Sequence, residues 1–209
     1  NWLRENNLGD EIKGAADAAL FARLLRRAEA GDSDALYATG YMLDSGVGVA
    51  ADAARATRQY EAAAALGQAE ALTLLGSRAR QERMDAKALE YFDAAAAKGN
   101  ARAFFLRGMM RRDSPKPDYA GAYADFLRAA ELGNPDALAM LFRAHMRGEG
   151  VPADDRAAYI WALRAMRDRD HVLSVGIWSD CEAIAWDLGP AARREAEAEA
   201  RNWPPKRQR

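Results

Sequence analysis

The chain has 209 residues, half of them apolar, which is enough to bury a core and excludes a disordered linker. Its 30 Lys and Arg stand against 31 Asp and Glu, a balance that argues against generic binding to nucleic acid or to an anionic membrane. No apolar run reaches the roughly 18 residues of a membrane span, and a single cysteine, Cys181, leaves no intrachain disulfide, so stability has to come from packing.

Taken in chain order, residues 1–30 read as an irregular stretch, Asn1 to Asp10, followed by a lead-in helix over Glu11 to Ala30. The first residue is Asn1 rather than Met, and no charged-then-apolar leader is visible. Removal of an upstream segment is the expectation, which points to a periplasmic or secreted location and leaves the cytoplasm open.

From there an Ala-x-x-Gly signal recurs, at Ala28 to Gly31, Ala64 to Gly67, Ala96 to Gly99 and Ala130 to Gly133. The glycines are 36, 32 and 34 residues apart, a period that belongs to stacked repeat architectures. Each glycine falls where a helix has to end, a position that favours its left-handed conformation.

Between these landmarks each repeat splits into two helices. In the first, Ala35, Leu36, Thr39, Gly40 and Leu43 share one helical face. The run Ser45-Gly46-Val47-Gly48-Val49 is a turn, and Asp52 opens a second helix with Ala56, Tyr60 and Ala63 on its buried stripe. The second copy answers with Ala71, Leu72, Leu75 and Gly76, then Asp85, Ala88, Phe92 and Ala95. The third has Ala103, Phe104, Arg107 and Gly108, then Asp118, Ala122, Phe126 and Ala129; the fourth has Ala137, Leu138, Leu141 and Phe142, then Asp154, Ala158, Ala162 and Ala165. Glycine inside a helix costs about 1 kcal/mol relative to alanine, so its return at Gly40, Gly76 and Gly108 predicts close helix contact that outweighs the cost.

The four repeats are thus predicted over 31–168, with capping helices and a basic tail over 169–209. His171 to Leu188 reads as a helix with Ile177, Trp178, Cys181, Ile184 and Ala185 on one side. Gly189-Pro190 interrupts it, Ala191 to Trp203 is a second helix, and Lys206 to Arg209 is a solvated tail.

Catalytic and metal-binding patterns are sparse. His145 and His171 are the two histidines, no H-x-x-x-H or C-x-x-C is present, and the glycine loops lack the Lys-Ser/Thr ending of a phosphate loop. No catalytic, metal or cofactor residue is assigned. His171 and Cys181 lie ten residues apart on one predicted helix, about 15 Å of rise, too far for a base and its nucleophile. Arg164, Arg167 and Arg169, interleaved with Asp168 and Asp170, read as a self-paired helix end.

In hairpin solenoids the first helix of each repeat lines the concave side, and the second and sixth positions after its leading alanine are expected to face it. These are Tyr37 and Tyr41, Thr73 and Ser77, Phe105 and Met109, and Ala139 and Arg143. Tyr37, Tyr41, Phe105, Met109 and Arg143 carry the residue types enriched at binding hot spots and are the candidate partner-binding residues.

The residues from about Ala28 to Met166 resemble the SEL-one-like repeat family, helical hairpins related to tetratricopeptide repeats. The resemblance rests most on Gly46-Val47-Gly48-Val49 and Gly148-Glu149-Gly150-Val151-Pro152, similar to the family's G-x-G-V loop, and on Tyr91-Phe92 ahead of Ala95-Ala96. Repeats two and three lack the loop, and Phe142 replaces the small residue. The resemblance implies an all-α, right-handed superhelix of helix-turn-helix repeats with a C-terminal capping pair. It also implies a bacterial, non-enzymatic adaptor that holds another protein along its concave groove: an envelope regulator, or an immunity protein against a secreted type VI toxin. The alternative it carries is a peptidoglycan-active or penicillin-binding enzyme, which the missing cysteine framework disfavours.

Overall fold

The computed structural model describes residues 17–167 and 173–203. It divides into two compact units, Asn1–Gly99 and Asn100–Arg209. All regular structure among the described residues is helical.

The first unit contains α1 (Asp17–Glu29), α2 (Ser33–Ser45), α3 (Ala53–Ala65), α4 (Ala69–Gln81) and α5 (Asp85–Ala97), each packed on the next. The lead-in helix expected from Glu11 is described from Asp17, with Leu20, Phe21, Leu24 and Ala28 buried. The second unit contains α6 (Ala101–Asp113), α7 (Tyr119–Glu131), α8 (Pro135–Arg147), α9 (Asp155–Met166) and α10 (Leu173–Arg201), again packed in sequence, with α8 also touching α10. Gly189, at φ 72° and ψ 166°, breaks α10 ahead of Pro190, so the predicted capping pair exists as two helical segments. Residues 168–172, the tail from 204 and the side chain of Trp178 lie outside the described residues.

The Ala-x-x-Gly signal works as a hinge of fixed shape. Gly31, Gly67, Gly99 and Gly133 all take φ between 80° and 89°, which carries the chain out of one helix without the penalty a Cβ would meet there. The very next residue then caps the following helix. Asp32, Gln68, Asn100 and Asn134 each accept a hydrogen bond from the backbone N–H three residues on, satisfying a donor that the helix leaves orphaned.

Within the hairpins, Asp52, Asp118 and Asp154 cap the second helices as predicted. Asp85 does not. The cap position in that repeat is Met84, which makes no side-chain hydrogen bond, and the residue before it, Arg83, is forced to φ 62° because the shortened loop has no glycine at its turn.

The helical glycines are where the hairpins close. A Cβ added at Gly40, Gly76 or Gly108 would lie 2.8, 2.7 and 2.7 Å from the ring of Tyr60, Phe92 and Phe126 respectively. Each aromatic ring of the second helix therefore rests on the bare backbone of the first. In the fourth hairpin the sizes are exchanged: Phe142 stands at the glycine position and Ala162 at the aromatic one, both buried. Volume is conserved while its source moves to the other helix.

The glycine loops do a second job. A Cβ at Gly48 would collide with the backbone of Asp17 at the start of α1, and one at Gly150 with the backbone of Tyr119 and Ala120 at the start of α7. In both units the loop of one hairpin thus sits directly on the first turn of the helix that precedes that hairpin, the lead-in helix α1 in the first unit and α7 in the second.

Candidate protein-binding surface

Tyr37 and Tyr41 are one turn apart on α2 in the first unit. Tyr37 is half-buried, its ring 5.6 Å from that of Tyr60, whereas Tyr41 is 39% exposed. Arg78 of α4 braces this region: its Nη1 donates to Thr57 Oγ1 at 3.0 Å, its Nη2 pairs with Asp44 at 3.7 Å, and its guanidinium lies 5.2 Å from the centre of the Tyr60 ring. Burial pushes the Tyr60 hydroxyl well above the ordinary phenol range, so it stays neutral beneath the surface. Thr73, expected on the open face, is instead buried and returns its hydroxyl to the Ala69 carbonyl at 2.8 Å; Ser77 is half-buried.

In the second unit Phe105 and Met109 are one turn apart on α6 and both half-buried, with the Phe105 ring 6.0 Å from Phe126. Ala139 is buried and Arg143 is exposed on α8. Arg112 of α6 spans the two helices by donating from Nη1 to Met140 Sδ at 2.9 Å, and it shares with Arg143 a shallow depression flanked by Tyr119, Tyr123 and Glu149. The structure brings Phe105, Met109 and Arg143 onto one unit and Tyr37 with Tyr41 onto the other.

Arg107, predicted on a buried stripe, is held there by charge. Its Nε donates to Asp125 at 3.0 Å and its Nη2 takes the other carboxylate oxygen, while Arg111 Nη1 adds a third bond at 2.9 Å. The same two positions are filled by Thr39 and Gln59 in the first hairpin, hydrogen-bonded at 3.4 Å, and by Leu75 with Tyr91 and Leu141 with Trp161 in the others. The composition of this pair varies, and the backbone does not.

Reactive groups are insulated. Cys181 is buried, and burial pushes its thiol up to about 11, far from the thiolate needed for nucleophilic attack. His145 meets Tyr123 edge to face, with Nε2 at 3.2 Å from the hydroxyl, and burial lowers its affinity for a proton. Among the described residues no cluster of His, Cys, Asp and Glu could hold a metal ion, and no helix is long and apolar enough to cross a membrane.

Two surface features were not predicted. Arg164 is stacked between Trp161 and Trp203, while Asp168, Arg169 and Asp170 of the expected self-paired helix end lie outside the described residues. Trp186 is 87% exposed at the break of α10. Neither has a periodic signal, because both depend on where the capping helices fold back.

Comparison with known proteins fits this geometry. A model of the Sel1 repeat matches residues 33–68, 69–100 and 135–167. The hairpin it passes over, 101–134, is the one with the Arg107 and Asp125 pair. A protective antigen present in uropathogenic Escherichia coli strains, which displays the SLR fold, superimposes with a TM-score of 0.78 at 26% identity, over 96% of this chain and 44% of that one. A Sel1 repeat protein from Oxalobacter formigenes gives 0.72 at 20% identity over 88% of this chain and 79% of that one. The chain therefore spans less than half the length of the first of these. A comparison with curated proteins finds no match. The repeating hairpins, their glycine turns and these likenesses agree: the chain carries three Sel1 repeats and has the all-α solenoid fold of SEL-one-like proteins.

Proposed function

We propose that this protein is a non-enzymatic adaptor that binds a partner protein through the first-helix faces of its hairpins, with Tyr37, Tyr41, Phe105, Met109 and Arg143 as contact residues. The observation that carries the reading is the pair of large side chains, one turn apart, at the same repeat position in α2 and α6, neither pair fully buried in its own core. Aromatic, Met and Arg side chains so placed bring large contact areas at low entropic cost. Sel1 repeats in general mediate protein–protein contacts, which supports the same class of function.

The partner we infer is a secreted toxin or an envelope signalling component, and the location periplasmic or extracellular. Support for an envelope role comes from the E. coli relative described as a protective antigen. The test is affinity capture from a bacterial envelope fraction, followed by calorimetry with the purified partner. Tyr41→Ala combined with Phe105→Ala should weaken binding by at least about 2 kcal/mol, as loss of aromatic anchors does, with an unchanged melting temperature. Unaltered affinity would place the contact elsewhere on the molecule.

A further inference from the structure

The C-terminal end of the second unit carries two arginines, Arg164 and Arg167, that form no ion pair with a described carboxylate. The guanidinium of Arg164 lies 4.5 Å from the ring centres of both Trp161 and Trp203, and these rings meet edge to face at 5.2 Å. Held between two indoles, the group is fixed in orientation and partly stripped of water. Its Nε is buried without an acceptor, as is Trp203 Nε1, and its Nη2 only approaches the Glu199 carbonyl at 3.5 Å. Burial lowers the proton affinity of Arg164, partly offset by the charge of the Glu199 carboxylate beyond ion-pair distance.

Arg167, one turn further on, is exposed and reaches only the Trp203 carbonyl, also at 3.5 Å. Nearby arginines behave differently: Arg156 pairs with Glu199 and Arg193 with Glu197, each at 2.9 Å. Among the described residues neither Arg164 nor Arg167 has a carboxylate within ion-pair distance. Both line a pocket of about 200 Å³ whose other walls include Ala130, Pro135, Leu138 and Trp203. Guanidinium groups and apolar walls therefore share a space sized for one residue.

We propose that this pocket binds the C-terminal residue of a partner polypeptide, its carboxylate on Arg164 and Arg167 and its apolar side chain against Leu138 and Trp203. A guanidinium presents parallel N–H donors that match a carboxylate, and a chain terminus places that carboxylate on the same carbon as the side chain. An Asp or Glu side chain instead carries its carboxylate at the tip, with no apolar group beside it. The site shares no residue with the proposed first-helix surface, so each is tested without disturbing the other.

The probe is N-acetyl-leucine, titrated into the whole protein while ¹H–¹⁵N spectra follow the Trp203 indole N–H, assigned with Trp203→Phe, and the Arg164 Nε–H. The expected result is a saturable shift of both signals in the millimolar range. Binding should weaken at least fivefold for N-acetyl-leucinamide, which lacks the carboxylate, and at least fivefold in Arg167→Gln, an exposed change that leaves the fold intact. An equal response to the amide, or no loss in Arg167→Gln, would overturn the carboxylate assignment. Equal affinity for acetate would remove the apolar wall, and equal affinity for N-acetyl-glutamate α-amide would remove the chain terminus; either sinks the proposal.

Discussion

Gly76 on α4 lies directly beneath the ring of Phe92 on α5, so close that a Cβ there would stand 2.7 Å from Cε1. Phe92 is fully buried, so the ring has no free direction in which to move. Gly76→Leu is expected to destabilise the protein by at least 1–3 kcal/mol, the usual range for overpacking, against little change for the exposed Glu90→Ala. The fourth hairpin suggests the remedy. Gly76→Phe with Phe92→Ala, which copies the Phe142 and Ala162 arrangement, should unfold at a higher urea concentration than Gly76→Phe alone.

The Arg107 and Asp125 pair gives a test of a different kind. With side-chain exposures of 15% and 4% the charges are largely out of water, and removing one partner from such a pair typically costs about 3–5 kcal/mol. Arg107→Leu should therefore be destabilising even though leucine fits the equivalent place in two other hairpins, by less than that full range because Arg111 still holds one Asp125 oxygen. Arg107→Leu with Asp125→Tyr, which restores the residues of the second hairpin, should recover most of the loss. If denaturation midpoints show the single and double variants to be equally weak, the charge explanation is wrong.

Met84 is a cap position with no capping group. Its φ and ψ of −90° and 62° are already non-helical, and the side chain is 40% exposed. Met84→Ser is expected to raise stability by about 0.5–2 kcal/mol, the range measured for a hydroxyl cap against an apolar residue. Thermal melting of the two proteins side by side decides it.

Histidine 145 gives the stability a pH dependence of known sign. Burial is the largest cause of its lowered proton affinity, partly opposed by Asp154 and by the Pro152 carbonyl. The folded form thus binds the proton more weakly than the unfolded chain, whose value is about 6.5. The stabilisation from neutral His145 is complete above that value and is lost as pH falls through it toward the lower folded value. Urea midpoints should drop between pH 7.5 and 5, and His145→Gln should flatten that slope. An unchanged slope in the variant would assign the dependence to other groups.

Much of the fold was legible because it repeats. The Ala-x-x-Gly turns, the small residue at Gly40, Gly76 and Gly108, and the aspartates at 52, 118 and 154 each recur, and recurrence separates a structural requirement from chance. What failed to be legible was whatever occurs once. Asp85 looked like its counterparts, yet the loss of loop residues shifted the cap to Met84. Thr73 and Ala139 share the register of Tyr37 and Phe105 but are buried, because short side chains at that position are overhung by their neighbours while long ones reach out. Arg164 depends on Trp203, almost forty residues away, and no local pattern encodes that meeting.

The two glycine loops divide the connections into those that tolerate a passenger and those that do not. Gly48 and Gly150 press their backbone onto the first turn of a neighbouring helix, so an added segment there would pry a hairpin away from the helix before it. The stretch Pro115-Lys116-Pro117, by contrast, is exposed. That is where a fluorophore or affinity handle for partner capture can be inserted with the least effect on stability, and where an unprotected chain is most open to a protease.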